Sequence, residues 1–365
     1  MNRLEMRKTV SLLIGLAGFF LSASGQQKRV LLEMYTSAHC GACPNGHLVA
    51  EELAASYPEL SLAFHHSSVD GMANPNSTEW RNNFGVFGTP MGMVDRNGPA
   101  ANQIPTHPQN WEERLLARLN EPAIATIELQ GNYDRPARQL SLDVTTTFTQ
   151  RPPAGELRLN LMILEDSVIH AGYGFNQSNY YNDVEGHPLY GLGQPIHFYP
   201  HHHVVREIVD DTWGTPGVFP EYPEPGQSYA HHYDYYVTWN WDHEKVKLLV
   251  FVSLFDENAP LERQVLNVVE LPLFSPLTSA TEASSEAAGA FTAFPNPVKQ
   301  TLHLSFPPDT HLLEILSPSG MALHSQAVRS ETLQIDVSGL PAGLYLARAL
   351  SPAGAHIQKI LIRNH

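Results

Sequence analysis

Apolar and polar positions divide the chain into segments of different period. Val30-Leu31-Leu32 is a short continuous apolar run, suited to a strand buried on both faces. Past Pro44 the pattern changes. Val49, Leu53 and Tyr57 recur at four-residue spacing around Glu51 and Glu52, which predicts an amphipathic helix ending near Pro58. Leu60 to His65 reads as a second strand, Asp70 to Asn76 as a loop, and Ser77 to Phe84 as a helix capped by Ser77 or Thr78. A Gly88-Thr89-Pro90 turn then feeds the apolar strand Met91 to Val94. His107 to Asn120 closes the segment as a helix with Trp111, Leu115 and Leu119 on one face. Residues 26–121 are thus expected to form an α/β domain.

From residue 122 the period becomes two. Leu140 to Phe148 alternates apolar and polar residues, and Leu157 to Ile163 does so over most of its length. Turn-rich joins at Arg135-Pro136 and Arg151-Pro152-Pro153 separate these strands, and Ile124 to Gln130 precedes them. Val246 to Phe255 reads as a buried central strand and Val265 to Leu271 as a last one, so residues 122–274 are expected to form an all-β, immunoglobulin-like sandwich. Between them Ala171 to Ala230 is long and irregular, with Tyr173, Tyr180, Tyr181, Tyr190, Tyr199 and Trp213 among many Gly, Pro and Asn. So many aromatics favour an ordered, packed loop able to bind a partner. Residues 275–290 are small and polar, a flexible linker. Residues 291–365 return to short strands, Leu302 to Phe306, Leu313 to Leu316 and Lys359 to Arg363 among them, and read as a small β-sandwich.

Composition narrows the partners. In 365 residues there are 37 acidic and 22 basic side chains, a formal charge of −15. Nucleic acid and anionic membrane faces need clustered Lys and Arg, so no nucleic-acid partner is expected. Residues 1–25 carry Arg3, Arg7 and Lys8, then the apolar stretch Val10 to Leu21, then Ala23 and Gly25 as the small residues of a cleavage site. This is a secretory signal peptide, too short to span a bilayer, and it leaves Gln26 at the mature N-terminus. The protein is therefore expected in a compartment where disulfides persist.

The chemistry that remains is a single thiol pair. Cys40 and Cys43 are the only two cysteines, in His39-Cys40-Gly41-Ala42-Cys43-Pro44, where the first strand gives way to the first helix. A thiolate at a helix N-terminus faces unpaired N–H groups and the positive end of the dipole, which lowers its pKa from about 8.5. Cys40 would then be the nucleophile and Cys43, one turn on, the resolving thiol, with His39 adding positive charge when protonated. Two other readings stay open: an inert structural disulfide, and a metal site completed by His39, His47, His65 or His66. His201-His202-His203 and His231-His232 lack ligand spacing and read as surface or strand-edge clusters. No metal and no cofactor is expected.

The order strand, Cys-x-x-Cys, helix, strand, helix, Thr89-Pro90, strand, helix resembles the thioredoxin fold. That resemblance implies a cis-proline at Pro90, packed against the cysteines and shaping the groove where a substrate chain docks. The chain departs from it in three ways. No Trp precedes Cys40, Gly41-Ala42 replaces Gly-Pro, and Glu33 lies seven residues before Cys40 where the family's buried acid lies six before. Because strand faces alternate, this puts a proton-acceptor role for Glu33 in doubt.

Leu32-Glu33-Met34-Tyr35-Thr36-Ser37, Cys40 to His47, Gly88-Thr89-Pro90 with Val94-Asp95-Arg96, and Leu164-Glu165-Asp166 are together similar to the twenty-eight-kilodalton-type outer membrane proteins. That resemblance implies a surface-exposed, adhesin- or receptor-like protein with a thioredoxin-like part. Pro295-Asn296-Pro297, Gly339-Leu340-Pro341-Ala342-Gly343-Leu344-Tyr345 and the basic-apolar end resemble the type A C-terminal sorting domain of type IX secretion. The implied partner is that secretion machinery, with removal of the domain at the linker and attachment to surface lipopolysaccharide. Two functions follow for the exported chain: thiol-disulfide exchange with a partner protein, or non-catalytic binding on a scaffold stapled by Cys40–Cys43.

Overall fold

The computed structural model describes residues 28–274 and 291–363, apart from 308, 317–321, 342, 352 and 353. The expected signal peptide over 1–25 and linker over 275–290 lie outside the described residues.

Strand β1 (Val30–Thr36) is buried along its whole length and pairs in parallel with β2 (Leu60–His66). Helix α1 (Cys43–Ser56) connects them, and α2 (Pro75–Asn83) leads to β3 (Met91–Val94), which runs antiparallel to β1. Gly92 also exchanges backbone hydrogen bonds with Thr106 at 2.8 Å, just before helix α3 (Trp111–Leu119). Because strand residues alternate, β1 serves two cores. Val30, Leu32 and Met34 pack toward α1, whereas Leu31 and Tyr35 pack toward Trp80 and Phe84.

Helix boundaries shift for local reasons. The cap of α2 is Asn74 rather than Ser77 or Thr78: its side chain accepts from the N–H groups of Asn76 and Ser77 at 2.9 and 3.2 Å. Pro75 then takes the first helical turn, where its missing N–H costs nothing. In α1 the buried stripe is Cys43, Gly46, His47, Ala50 and Leu53, not Val49, Leu53 and Tyr57. Gly46 rotates the helix onto the sheet, since a Cβ there would lie 2.7 Å from Met34 Cε and 2.8 Å from Pro90 Cβ.

The next seven strands are β4 (Ala125–Asp134), β5 (Gln139–Phe148), β6 (Glu156–Glu165), β7 (Val204–Ile208), β8 (Ser228–Tyr236), β9 (Val246–Phe255) and β10 (Val265–Pro272). They do not form a sandwich separate from the first segment. A single seven-stranded sheet runs β10-β9-β6-β7-β2-β1-β3, and β4-β5-β8 forms a second sheet. Strand β7, inside the stretch expected to be irregular, joins the halves by pairing in parallel with β2 at Phe64 and Val204. The cause lies in β6 and β9, buried on both faces. Leu157, Leu159, Leu161 and Ile163 point into a core shared with β4, β5 and β8, as do Leu248, Val250 and Val252. Met162, Leu164, Leu249 and Phe251 point the other way, into the core built on Trp80.

Residues 291–363 form two small sheets, β11-β12-β15 and β14-β13-β16-β17, drawn from β11 (Thr292–Phe294), β12 (Thr301–Ser305), β13 (Leu312–Leu316), β14 (Ala322–Ala327), β15 (Thr332–Asp336), β16 (Gly343–Ser351) and β17 (Gly354–Ile362). Leu302, Leu304, Leu313, Ile315, Ala347 and Ile360 fill the space between them. The molecule is thus mostly β, in several sheets, with a C-terminal β domain. Among the described residues no helix is long and apolar enough to cross a membrane.

Candidate functional site

The site lies where β1 ends. Cys40 and Cys43 are joined by a disulfide, with Cys43 fully buried and Cys40 partly exposed. Cys43 opens α1, and Pro44 sits in its first turn. The N-cap Ala42 offers no capping side chain, and no acid occupies the first turn. The positive end of the helix dipole therefore has no side-chain competitor for a thiolate at Cys40. Thr89–Pro90 is a cis peptide, and the Thr89 carbonyl oxygen lies 3.4 Å from Cys40 Sγ. Cys40, Cys43 and Pro90 are brought together, with Gly46 packed against the Pro90 ring.

A buried carboxylate fixes the loop before Cys40. Asp70 accepts from Ser37 Oγ, from the Ala38 N–H and from His66 Nδ1, each at 2.9 Å. The loop read as punctuation between β2 and α2 thus supplies a structural member of the site. No motif around Asp70 marks it; only the return of β2 beside β1 brings it under residues 37 and 38.

Glu33 is not near the disulfide. It shares β1's odd-numbered face and receives two hydrogen bonds from Arg96, at 2.8 and 2.9 Å. Burial alone would raise its pKa, but the Arg96 guanidinium and His65 hold it at about 2. The ionisable residue that does face α1's side is His47, one helical turn after Cys43. Its Nε2 pairs with Thr36 Oγ1 at 2.8 Å and its Nδ1 with Tyr199 OH at 3.0 Å. Burial pushes its pKa well below 6.5, and neighbouring histidines push the same way.

The four histidines considered as ligands take separate roles. His39 is exposed and lies against Tyr173, His65 bonds Ser77 Oγ at 2.7 Å, His66 bonds Asp70, and His47 bonds Thr36 and Tyr199. His201 is not a surface residue: it is 1% exposed, bonds the Phe175 carbonyl at 2.7 Å, and burial lowers its pKa to about 3. His232 is exposed on β8 between Asp143 and Asp234.

Residues the sequence left as an aromatic loop complete the site. Gln177 is fully buried and its Nε2 donates to the Cys40 carbonyl at 2.9 Å. The N–H groups of Ser178 and Tyr180 donate to Ala38 and Gly41 carbonyls at 2.7 and 2.9 Å. His187 reaches Asn45 on α1 at 3.0 Å. This segment wraps the disulfide loop. Its aromatic content was the sole sequence signal, and it gave no target.

Several known proteins are similar to the chain. A family model described as "Outer membrane protein Omp28" matches residues 77–273, and one described as "Secretion system C-terminal sorting domain" matches 292–363. HBP35 of Porphyromonas gingivalis superposes with a TM-score of 0.52 at 18% identity, over 92% of this chain and 99% of that one, which indicates a shared fold. A domain of the outer membrane lipoprotein Omp28 from Porphyromonas gingivalis matches at 16% identity over 41% of this chain and 87% of that one, with a TM-score of 0.24. No curated protein matches the chain.

Proposed function

We propose, for a chain that belongs to the Omp28 family of outer membrane proteins, that Cys40 and Cys43 exchange their disulfide with dithiols of partner proteins. The chain is an exported, cell-surface protein that carries a type IX sorting tail. In this reading residues 26–121 are a thioredoxin-like unit, 122–274 complete its sheet and add a β-sandwich layer, and 291–365 direct export through the type IX machinery. Residues 1–25 are removed as a leader. Processing falls within 275–290, and the mature chain is attached to surface lipopolysaccharide.

One observation carries the exchange reading: a partly exposed Cys40 is joined to a buried Cys43 at an uncapped helix N-terminus, with the Thr89 carbonyl oxygen 3.4 Å from Cys40 Sγ. A partner thiolate attacks Cys40 Sγ, the Cys40–Cys43 bond breaks, and Cys43 leaves as a thiolate that takes up a proton. The partner's second thiol then displaces Cys40. Two electrons pass from the partner dithiol to the pair, which ends as two thiols.

A second reading is a surface binding protein in which the disulfide is structural. The segment bonded across the disulfide loop favours it, because Gln177, Ser178 and Tyr180 restrain residues 38–41. Single-turnover mixing with a reduced dithiol peptide separates the two. Exchange predicts formation of the peptide disulfide with equimolar appearance of alkylatable Cys40 and Cys43, abolished in Cys40→Ser. A reduction potential below about −300 mV with no peptide oxidation would leave the disulfide structural.

A further inference from the structure

The segment Gly172 to Tyr180 is anchored to both loops that build the site. Gly71 N–H donates to the Gly174 carbonyl at 3.1 Å, and the Phe175 ring covers Gly71 so closely that a Cβ there would overlap it. Two residues further, Gln177 reaches the Cys40 carbonyl, and Ser178 and Tyr180 donate to Ala38 and Gly41. The Tyr180 ring seats on Gly41 in the same manner: a Cβ on Gly41 would fall inside the ring. Gly41 lies between the two cysteines, so this ring is laid on the disulfide loop itself.

The contact is made by backbone donors of one loop on backbone acceptors of another. Donors come from residues 178 and 180, and the acceptors are the Ala38 carbonyl, which Gln177 Nε2 also reaches at 3.4 Å, and the Gly41 carbonyl. Yet its aromatic anchor is held loosely. Tyr180 is 72% exposed and Tyr173, which lies on His39, is 84% exposed. Little apolar area is lost when the Tyr180 ring lifts, so the ring is cheap to exchange for another of the same kind, while Gln177 and Asn179 beside it stay buried.

We infer that the Tyr180 ring, carried on the buried Gln177–Asn179 segment, occupies the docking place on the disulfide loop as an internal competitor, and that an exchange partner is a polypeptide whose aromatic side chain replaces Tyr180 on Gly41. The partner's identity as an exchange partner rests on the reading above; the displacement itself is measurable without exchange. Gly41 is the specificity element, because only a residue without Cβ leaves room for a ring at that place.

The test uses the full chain and a small phosphine reductant. Tyr180→Ala removes the ring and Gly41→Ala evicts it, two opposite routes to an open edge. Each is expected to raise the second-order rate of Cys40–Cys43 reduction at least fivefold, with thermal transitions showing both variants folded. Unchanged rates in Tyr180→Ala, whose side chain is mostly exposed and whose loss leaves the fold intact, would overturn the inference. A synthetic peptide Gln-Ser-Asn-Tyr-Tyr, the chain's own residues 177–181, should restore slow reduction to Tyr180→Ala in a saturable way, and a peptide with Ala for the first Tyr should not. Absence of protection, or equal protection by both peptides, would also overturn it. If the variants are reduced faster but no form oxidises the dithiol peptide in single turnover, the exchange reading falls while displacement of the Tyr180 ring stands.

Discussion

Arg96 reaches back from the end of β3 to clasp Glu33 in the middle of β1, through Nε at 2.8 Å and a second nitrogen at 2.9 Å. The same guanidinium lies 4.0 Å from the Trp80 ring centroid and 5.0 Å from that of Phe251 on β9. One buried ion pair thus links the first strand of the sheet to a strand more than two hundred residues later. Removing one partner leaves the other charged and buried. Glu33→Ala is expected to cost about 3–5 kcal/mol in urea unfolding, because the orphaned Arg96 has no water to turn to. If Glu33 served the cysteines, the variant would also change the pH profile of disulfide exchange; on the face away from α1 it should leave that profile unchanged.

The buried histidines make stability fall with acid. Burial lowers the pKa values of His47, His65 and His201, the last to about 3. The unfolded chain, with histidines near 6.5, binds more protons than the folded one below that pH. Their contribution is complete above 6.5 and is lost progressively as pH falls toward the folded-state values, by up to about 1.4 kcal/mol per pH unit for each histidine. Glu33, held at about 2, adds a further loss between 4.5 and 2. Thermal unfolding from pH 8 to 4 should show a falling midpoint, and His201→Gln should flatten that fall. An equal slope in the variant would show that His201 is not held neutral inside.

Gly46 sets how closely α1 approaches the cis-proline loop. A methyl group there meets Met34 Cε at 2.7 Å and Pro90 Cβ at 2.8 Å. Met34 can swing aside, but the Pro90 ring cannot. Gly46→Ala should therefore destabilise the fold by about 1–3 kcal/mol despite the better helix propensity of alanine. A stabilised variant would show that the helix has room to shift.

Deletion of residues 291–365 tests the export route. The truncated chain should accumulate in the periplasm with its disulfide formed, detectable by fractionation and by protease protection in intact cells. Surface display at the normal level would remove the sorting role from this domain.

The asymmetry between β1's two faces shows how far sequence carries. Alternation along the strand cast doubt on Glu33 facing the cysteines, and the structure places it on the face away from their helix. The thiol pair, the Thr89-Pro90 turn and the C-terminal sorting motifs were equally legible, since each depends on residues close together in the chain. What the sequence could not determine was which surfaces would meet. The apolar run of β9 is compatible with one core or two; only the placement of Trp80 on one side and β4, β5 and β8 on the other made it a wall common to both. Asp70 and Gln177 have no local signature either, because their function is to satisfy backbone groups of residues 38–40 across 32 and 137 positions of chain. The sequence by itself determined the chemistry available at Cys40 and Cys43. The tertiary structure decided that this chemistry lies beneath a segment of the chain's own, because the carbonyls of Ala38 and Gly41 found backbone donors there and that of Cys40, already bonded to the Cys43 N–H, gained the Gln177 side chain.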